Sequence, residues 1–269
     1  MKSKFKNISL VGASNPKSRE LVKRDKAILT KEKRTLLTQD IFDTSIGNEA
    51  KNALTKDLII KKSDLIISIG GDGTILQCAK QYGIKGIPII GINLGSLGFL
   101  SDIAPKKLGT ELPEILNNNF IVDDRFLLKA SINSKLIGSP SLNEIVIHSG
   151  AIARMIEYKL YVDDVFIYQQ RADGLIITTP TGSTAYSLSG GGPIIHPSLN
   201  IIGILPMFPQ SLNNTPIIID SRKDIKIQIL NNNKLNPSEI SFDSQENIPL
   251  NNGSTINIGK YSKKITLLH

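Results

Sequence analysis

The stretch Asp64-Leu65-Ile66-Ile67-Ser68-Ile69, running straight into Gly70-Gly71-Asp72-Gly73-Thr74, decides the architecture of the first part of the chain. A short unbroken apolar run that stops at glycines has the texture of a strand buried on both faces, as in a parallel sheet. Thr74 to Tyr82 then reads as a helix. Outward from this point the same alternation repeats. Lys6 to Gly12 predicts a strand, Lys17 to Leu37 a basic helical stretch, Ile87 to Ile92 a second buried strand, and Pro105 to Leu116 another helix. This βαβ rhythm predicts an α/β domain, Rossmann-like, with a parallel sheet and helices on its faces.

The texture changes at Asn117-Asn118-Asn119, a cluster of turn formers. Beyond it the apolar runs are short and many alternate: Phe126 to Ile132, Glu144 to His148, Ile156 to Val162, Val165 to Gln169, Leu175 to Thr179, Pro216 to Asp220, Asp224 to Leu230 and Ser254 to Ile258. Asp163-Asp164, set between two alternating runs, is a hairpin signal. The expected division is an α/β domain over 1–118 and an all-β domain over 119–269, the latter an antiparallel sandwich or a barrel-like sheet.

Composition narrows the class. At 269 residues the chain can bury a sizeable core, and 40% hydrophobic with 21% charged residues places it with globular rather than disordered chains. Its apolar runs fall short of the roughly 18 residues of a membrane span, so no membrane is expected as a partner. The opening Met1 to Ser14 is basic and then apolar, but Ile8 to Ala13 is too short for a secretory leader and reads as the first strand. A single cysteine, Cys78, excludes an intramolecular disulfide framework and fits a reducing compartment.

The net charge of +8 raises nucleic acid as a partner. The basic residues are scattered and nearly all lysine, while isoleucine and asparagine are also abundant, the bias of AT-rich codons. We therefore read the charge as compositional drift and expect no nucleic acid. The 5% aromatic content also leaves few platforms for base stacking. Against that drift the retained arginines, among them Arg125, Arg154 and Arg171, stand out.

Three glycine clusters carry the chemistry. Gly70 to Thr74 follows a strand and opens a helix, where glycine permits positive φ and close approach of backbone N–H groups to an anion, and the helix terminus adds partial positive charge. The dinucleotide pattern fails, since Leu76 stands where its third glycine belongs, and no Walker lysine motif occurs. Asp72 inside the cradle would repel phosphates unless a metal bridges them or the carboxylate takes a proton, and both point to phosphoryl transfer. The plainer reading is a tight turn in which Asp72 bonds its own backbone. Asn93 to Leu100 is a second glycine loop on the same sheet edge, expected to share one crevice with the first. The third and densest cluster joins Arg171-Ala172-Asp173-Gly174 to the hydroxyl- and glycine-rich run Thr178 to Pro193. Asn143-Glu144, heading an apolar strand, is either an Asx turn or a polar pair for a ribose or base. His148, His196 and His269 form no catalytic or metal-binding spacing.

Taken together these motifs resemble the NAD kinase family: GGDGT at Gly70 to Thr74, NLGSLGFL at Asn93 to Leu100, NE at Asn143-Glu144, RADG at Arg171 to Gly174, TPTGSTAYSLSGGGPI at Thr179 to Ile194, LPMFP at Leu205 to Pro209 and FDSQ at Phe242 to Gln245. The likeness covers roughly residues 60 to 250, and the long Thr179 to Ile194 string is its most specific part. The resemblance implies transfer of the ATP γ-phosphoryl group to the 2′-hydroxyl of the adenosine ribose of NAD, giving NADP. It assigns Asp72 as general base, with Gly73 continuing its loop. It assigns Asn143 and Glu144 as NAD contacts, Arg154, Arg171 and Asp173 as further binding positions, Thr184, Ala185, Tyr186, Ser187, Leu188 and Ser189 as the segment holding the adenine end, and Gln245 as a late contact. It implies a divalent cation, Mg²⁺ first, NAD and ATP as small-molecule partners, preference for NAD⁺ over NADH through Arg171, and a cytoplasmic homodimer or homotetramer.

Two departures matter. Lys80 stands where the family often has arginine, and a point charge replaces a bidentate fork there. The first 60 residues match only loosely. The competing functions are a lipid kinase of the diacylglycerol type, which shares GGDGT, and a non-catalytic dinucleotide sensor that kept the pocket.

Overall fold

The computed structural model of the protein describes residues 5–12, 16–37, 55–94, 98–100, 103–150, 154–211, 215–231 and 237–269. It divides into two compact units, Met1–Asp124 with Lys264–His269, and Arg125–Lys263. The break thus falls six or so residues after the asparagine cluster, and the chain's last residues lie with the first unit instead of the β-rich one.

The first unit holds β1 (Asn7–Gly12), α1 (Pro16–Lys31), β2 (Thr35–Leu36), α2 (Lys56–Lys62), β3 (Leu65–Gly70), α3 (Asp72–Gln81), β4 (Ile89–Asn93) and α4 (Leu108–Leu116). The strands lie in the order β2-β1-β3-β4 and all pairs are parallel. Every residue of β3 and β4 is buried, which is why their sequences read as continuous apolar runs rather than alternating ones. Each isoleucine or leucine so covered contributes about 1.5–3 kcal/mol relative to exposure. On α1, Leu21, Val22 and Leu29 face this core, and Asp25, one turn from Leu21 and Leu29, is buried in the same stripe. The helix foreseen to run to Leu37 stops earlier. Lys33 turns left-handed (φ 54°), and the Arg34 N–H donates to Leu29 O while the Lys33 N–H donates to Thr30 O, a Schellman stop built on a lysine where glycine is usual.

The second unit is an antiparallel β sandwich. Its remaining strands are β5 (Val122–Ile132), β6 (Lys135–Ser141), β7 (Glu144–Ser149), β8 (Ile156–Val162), β9 (Val165–Ala172) and β10 (Gly174–Thr178). After α5 (Tyr186–Ser189) come β11 (Ile201–Met207), β12 (Ile217–Asp220), β13 (Ile225–Asn231), β14 (Ser238–Phe242), β15 (Glu246–Pro249) and β16 (Thr255–Leu268). One sheet has the order β12-β11-β10-β7-β14-β15, and the other contains β13-β8-β9 with β16 beside β13. Inward residues of both, such as Ile147, Leu175, Ile204, Tyr158, Ile227 and Phe242, form one core. The hairpin between β8 and β9 turns at Asp163-Asp164, both left-handed (φ 48° and 63°), as its sequence predicts. The strand foreseen over Ser254 to Ile258 is much longer: β16 continues to Leu268, and within the first unit Leu267 pairs in parallel with Ile89.

Candidate active site

In the first unit the Gly70–Thr74 loop lies at the C-terminal end of β3, with Asp72 as the first residue of α3 and Gly71 as its N-cap. The Asp72 carboxylate is met from the second glycine loop. The Phe99 N–H donates to Asp72 Oδ2 at 2.9 Å and the Leu100 N–H to Oδ1 at 3.3 Å. The Leu94 N–H also donates to Gly70 O at 3.2 Å. The two loops therefore do come together, although Gly95, Ser96 and Leu97 lie outside the described residues. Gly98 makes this possible: a Cβ on it would sit 2.1 Å from Asp72 Oδ1.

The expected use of positive φ in the cradle is not found. Gly70, Gly71 and Gly73 are absent from the left-handed residues. Their value is space. Among the described residues a Cβ on Gly71 or Gly73 would meet nothing within 4 Å, leaving space beside the first amides of α3, where an anion is favoured by the helix terminus. Asp72 does not bond its own backbone in the manner of a capped turn, because both oxygens are directed at Phe99 and Leu100. Lys80 lies in the last turn of α3.

In the second unit two distant motifs converge on one short segment, Leu142 to Glu144. Asp243 Oδ1 accepts from the Asn143 N–H (2.8 Å) and the Glu144 N–H (3.1 Å), and Oδ2 accepts from the Leu142 N–H (3.0 Å). Hydrogen bonds of this charged kind contribute about 1.5–3 kcal/mol each. On the other side the Thr179 N–H donates to Asn143 O at 2.8 Å and Thr179 Oγ1 to Leu142 O at 2.6 Å. Gly182 packs so closely that a Cβ there would lie 2.2 Å from Asn143 O. Glu144 is buried and Asn143 half-buried.

The Thr179–Pro193 string is packed rather than a flexible linker. A 3₁₀ turn spans Thr181–Thr184 and α5 follows. Ser183, fully buried, donates to Pro180 O (2.7 Å) and accepts from the Ile195 N–H (3.0 Å). The buried Arg125 donates to Thr181 Oγ1 at 3.0 Å. Ser187 is buried, and Thr184 and Ala185 are half-buried, while Tyr186, Leu188 and Ser189 present exposed surface.

The other expected residues lie elsewhere in the second unit, Gln245 in the same turn as Asp243. Arg171 is exposed on β9, its carbonyl accepting from the Gln210 N–H. Asp173, between β9 and β10, is fixed through its backbone to Met207 and Ser149. Arg154 and Gln245 are exposed. Among the described residues, no hydrogen bond joins the side chain of Arg154, Arg171 or Gln245 to the Leu142–Glu144 segment. The sequence singles out none of Gly98, Asp243, Thr179 or Ser183 individually, because their partners lie outside their own motif: the Asp72 carboxylate for Gly98, the Leu142–Glu144 backbone for Asp243 and Thr179, and the Ile195 N–H for Ser183. Arg125 carried a signal, retention as arginine in a lysine-rich chain, but no indication of its partner.

Residues 12–120 match the ATP-NAD kinase N-terminal domain family, and residues 142–269 match the ATP-NAD kinase C-terminal domain family. The NAD kinase of Marinobacter nauticus is 41% identical over 98% of this chain and 91% of its own length. That of Teredinibacter turnerae is 38% identical over 98% and 92%.

This chain belongs to the NAD kinase family.

Among solved structures, an NAD kinase from Archaeoglobus fulgidus in complex with ATP is 25% identical with a TM-score of 0.77, covering 97% of this chain and 92% of that one. Yeast NADH kinase complexed with NADH has the same fold, at a TM-score of 0.85 and 24% identity over 99% of this chain and 84% of that one. The expected combination of an α/β N-terminal domain and an antiparallel β C-terminal domain is the architecture of the family.

Proposed function

We propose that this protein is an NAD kinase, transferring the γ-phosphoryl group of ATP to the 2′-hydroxyl of the adenosine ribose of NAD. The observation that carries the reading is the Asp72 carboxylate, held by the Phe99 and Leu100 N–H groups beside the open space at Gly71 and Gly73. A ribose hydroxyl is a poor nucleophile. Asp72 takes its proton as the new bond forms from the 2′-oxygen to the γ-phosphorus and the bond from that phosphorus to the β–γ bridging oxygen breaks. ADP leaves with the electron pair. A positioned base of this kind contributes about 10²- to 10⁴-fold in rate.

In this reading Asn143 and Glu144 hydrogen-bond the adenosine part of NAD, and Thr184 to Ser189 flank its adenine. Arg154, Arg171, Asp173 and Gln245 supply further contacts, with Arg171 favouring NAD⁺ over NADH. Among the described residues no three His, Cys, Asp or Glu side chains gather as metal ligands. The Asp72 carboxylate in the glycine loop is the residue that would face a Mg²⁺ ion accompanying the triphosphate. When bound, the cation neutralises charge on the phosphates. We place the protein in the cytoplasm as a homodimer or homotetramer. The buried free thiol of Cys78 is consistent with that compartment, and no helix among the described residues is long and apolar enough to cross a membrane.

The test is a coupled assay with NAD⁺, ATP and Mg²⁺, reading NADP⁺ through an NADP-specific dehydrogenase. NADP⁺ formation is expected. Tight NAD⁺ binding without turnover under any donor and metal would replace the kinase with a dinucleotide sensor, and phosphorylation of diacylglycerol in place of NAD⁺ would replace it with a lipid kinase.

A further inference from the structure

We propose that Asp243 is a positioning residue for NAD: its carboxylate sets the direction in which Asn143 and Glu144 meet the substrate. The proposal rests on the assignment of Asn143 and Glu144 as NAD contacts made above. Asp243 opens the turn between β14 and β15, where it and Ser244 are both left-handed (φ 52° and 54°) and the Gln245 N–H closes the turn on Phe242 O at 3.1 Å. This is the primed turn that follows the twist of a hairpin. It brings the side chain back over the end of the ladder in which Phe242 pairs with Ile145.

There Asp243 is 4% exposed and engages the backbone four times. It accepts the N–H groups of Leu142, Asn143 and Glu144, and its own N–H donates to Glu144 O at 3.0 Å. With Leu142 O and Asn143 O held by Thr179, every main-chain N–H and C=O of these three residues has a protein partner. The segment therefore has no freedom to pivot, and the Cα–Cβ directions of Asn143 and Glu144 are set by this clamped backbone. Strand β7 does not need this clamp. It is already paired with β10 and β14 along Glu144–Ser149. Leu142 and Asn143 precede the strand, where water would satisfy an ordinary strand end. A buried carboxylate on three successive N–H groups is instead a device for rigidity, placed beside the two side chains that face the substrate.

The test is Asp243→Asn. Asparagine tolerates left-handed backbone, so the turn is kept while one acceptor oxygen becomes an amide group facing N–H donors. We expect KM for NAD⁺ to rise at least tenfold, with KM for ATP within twofold of wild type. Asp243→Gly, which also keeps the turn, should behave alike, and Ser244→Gly on the same turn should leave both constants unchanged. An unchanged KM for NAD⁺ in Asp243→Asn would overturn the proposal. So would equal rises for both substrates with a lowered thermal midpoint, which mark a structural role only. If the wild type made no NADP⁺ at all, the kinase reading would fall by itself. The NAD⁺ dissociation constant of Asp243→Asn against wild type would still decide the positioning role, a tenfold weakening supporting it and equality refuting it.

Discussion

The Asp72 carboxylate occupies the place where a side chain on Gly98 would be: a Cβ on Gly98 would lie 2.1 Å from Asp72 Oδ1 and 2.8 Å from Oδ2. The glycine is required by its neighbour's acid, and the next two amides, of Phe99 and Leu100, fix that acid in the vacated space. The second glycine loop therefore orients the proposed base, a different task from cradling phosphate.

Gly98→Ala forces the carboxylate to move while leaving its chemistry intact. Displacement of a reacting group by about 1 Å costs on the order of 10²-fold in rate. The expected outcome is a fall in kcat of about that size with the thermal midpoint nearly unchanged, since the neighbouring Phe99 is exposed and little core is disturbed. Steady-state kinetics beside a thermal melt check it, and a fully active variant would show that Asp72 need not be held where it is.

Arg171 is exposed on β9 with its backbone in the ladder opposite Glu157, so its side chain can be removed without cost to the core. Arg171→Gly should raise the rate with NADH relative to NAD⁺. The ratio of kcat/KM for the two substrates reads this directly, and an unchanged ratio places the selectivity at another residue.

Asp25 predicts a pH dependence of stability. It is fully buried on α1, and among the described residues neither carboxylate oxygen is hydrogen-bonded. Burial pushes its pKa from 3.8 up to about 7, against the opposing pull of Arg24. A raised carboxyl pKa means that the folded protein keeps a proton the unfolded chain has lost. Stability from this group is therefore complete below the unfolded value, declines as pH rises from 3.8 towards about 7, and stays reduced above that. Within the window the slope approaches about 1.4 kcal/mol per pH unit. Asp25→Asn should flatten it, gaining on wild type as pH rises. Urea denaturation at a series of pH values measures this, and parallel profiles for the two proteins would contradict it.

What the sequence disclosed and what it hid follow from the range of the forces involved. The burial of β3 and β4 on both faces wrote itself into Leu65–Gly70 and Ile89–Asn93 as local apolar runs. The turn at Asp163-Asp164 was legible because residues tolerant of left-handed backbone stand between alternating strands. The stop of α1 was hidden because Lys33, not a glycine, takes the left-handed position. Strands β6 and β11 escaped notice, each carrying a proline, Pro140 and Pro206, that argues against a strand. In the site, Asp72 was visible as a carboxylate in a glycine loop. Gly98 was visible only as one more loop glycine, since its role is a contact with a residue far back in the chain. Asp243 lies 100 residues from Asn143, and no local pattern joins a hairpin turn to the strand end it clamps.

The proposed removal of the ribose hydroxyl proton by Asp72 is probed by Asp72→Asn, with kcat and the NAD⁺ dissociation constant measured on the same preparation. The amide keeps the shape of the side chain and cannot act as a base. The expected result is a loss of kcat of about 10²- to 10⁴-fold with NAD⁺ affinity within a few-fold of wild type. A variant that still makes NADP⁺ at near the wild-type rate would contradict it.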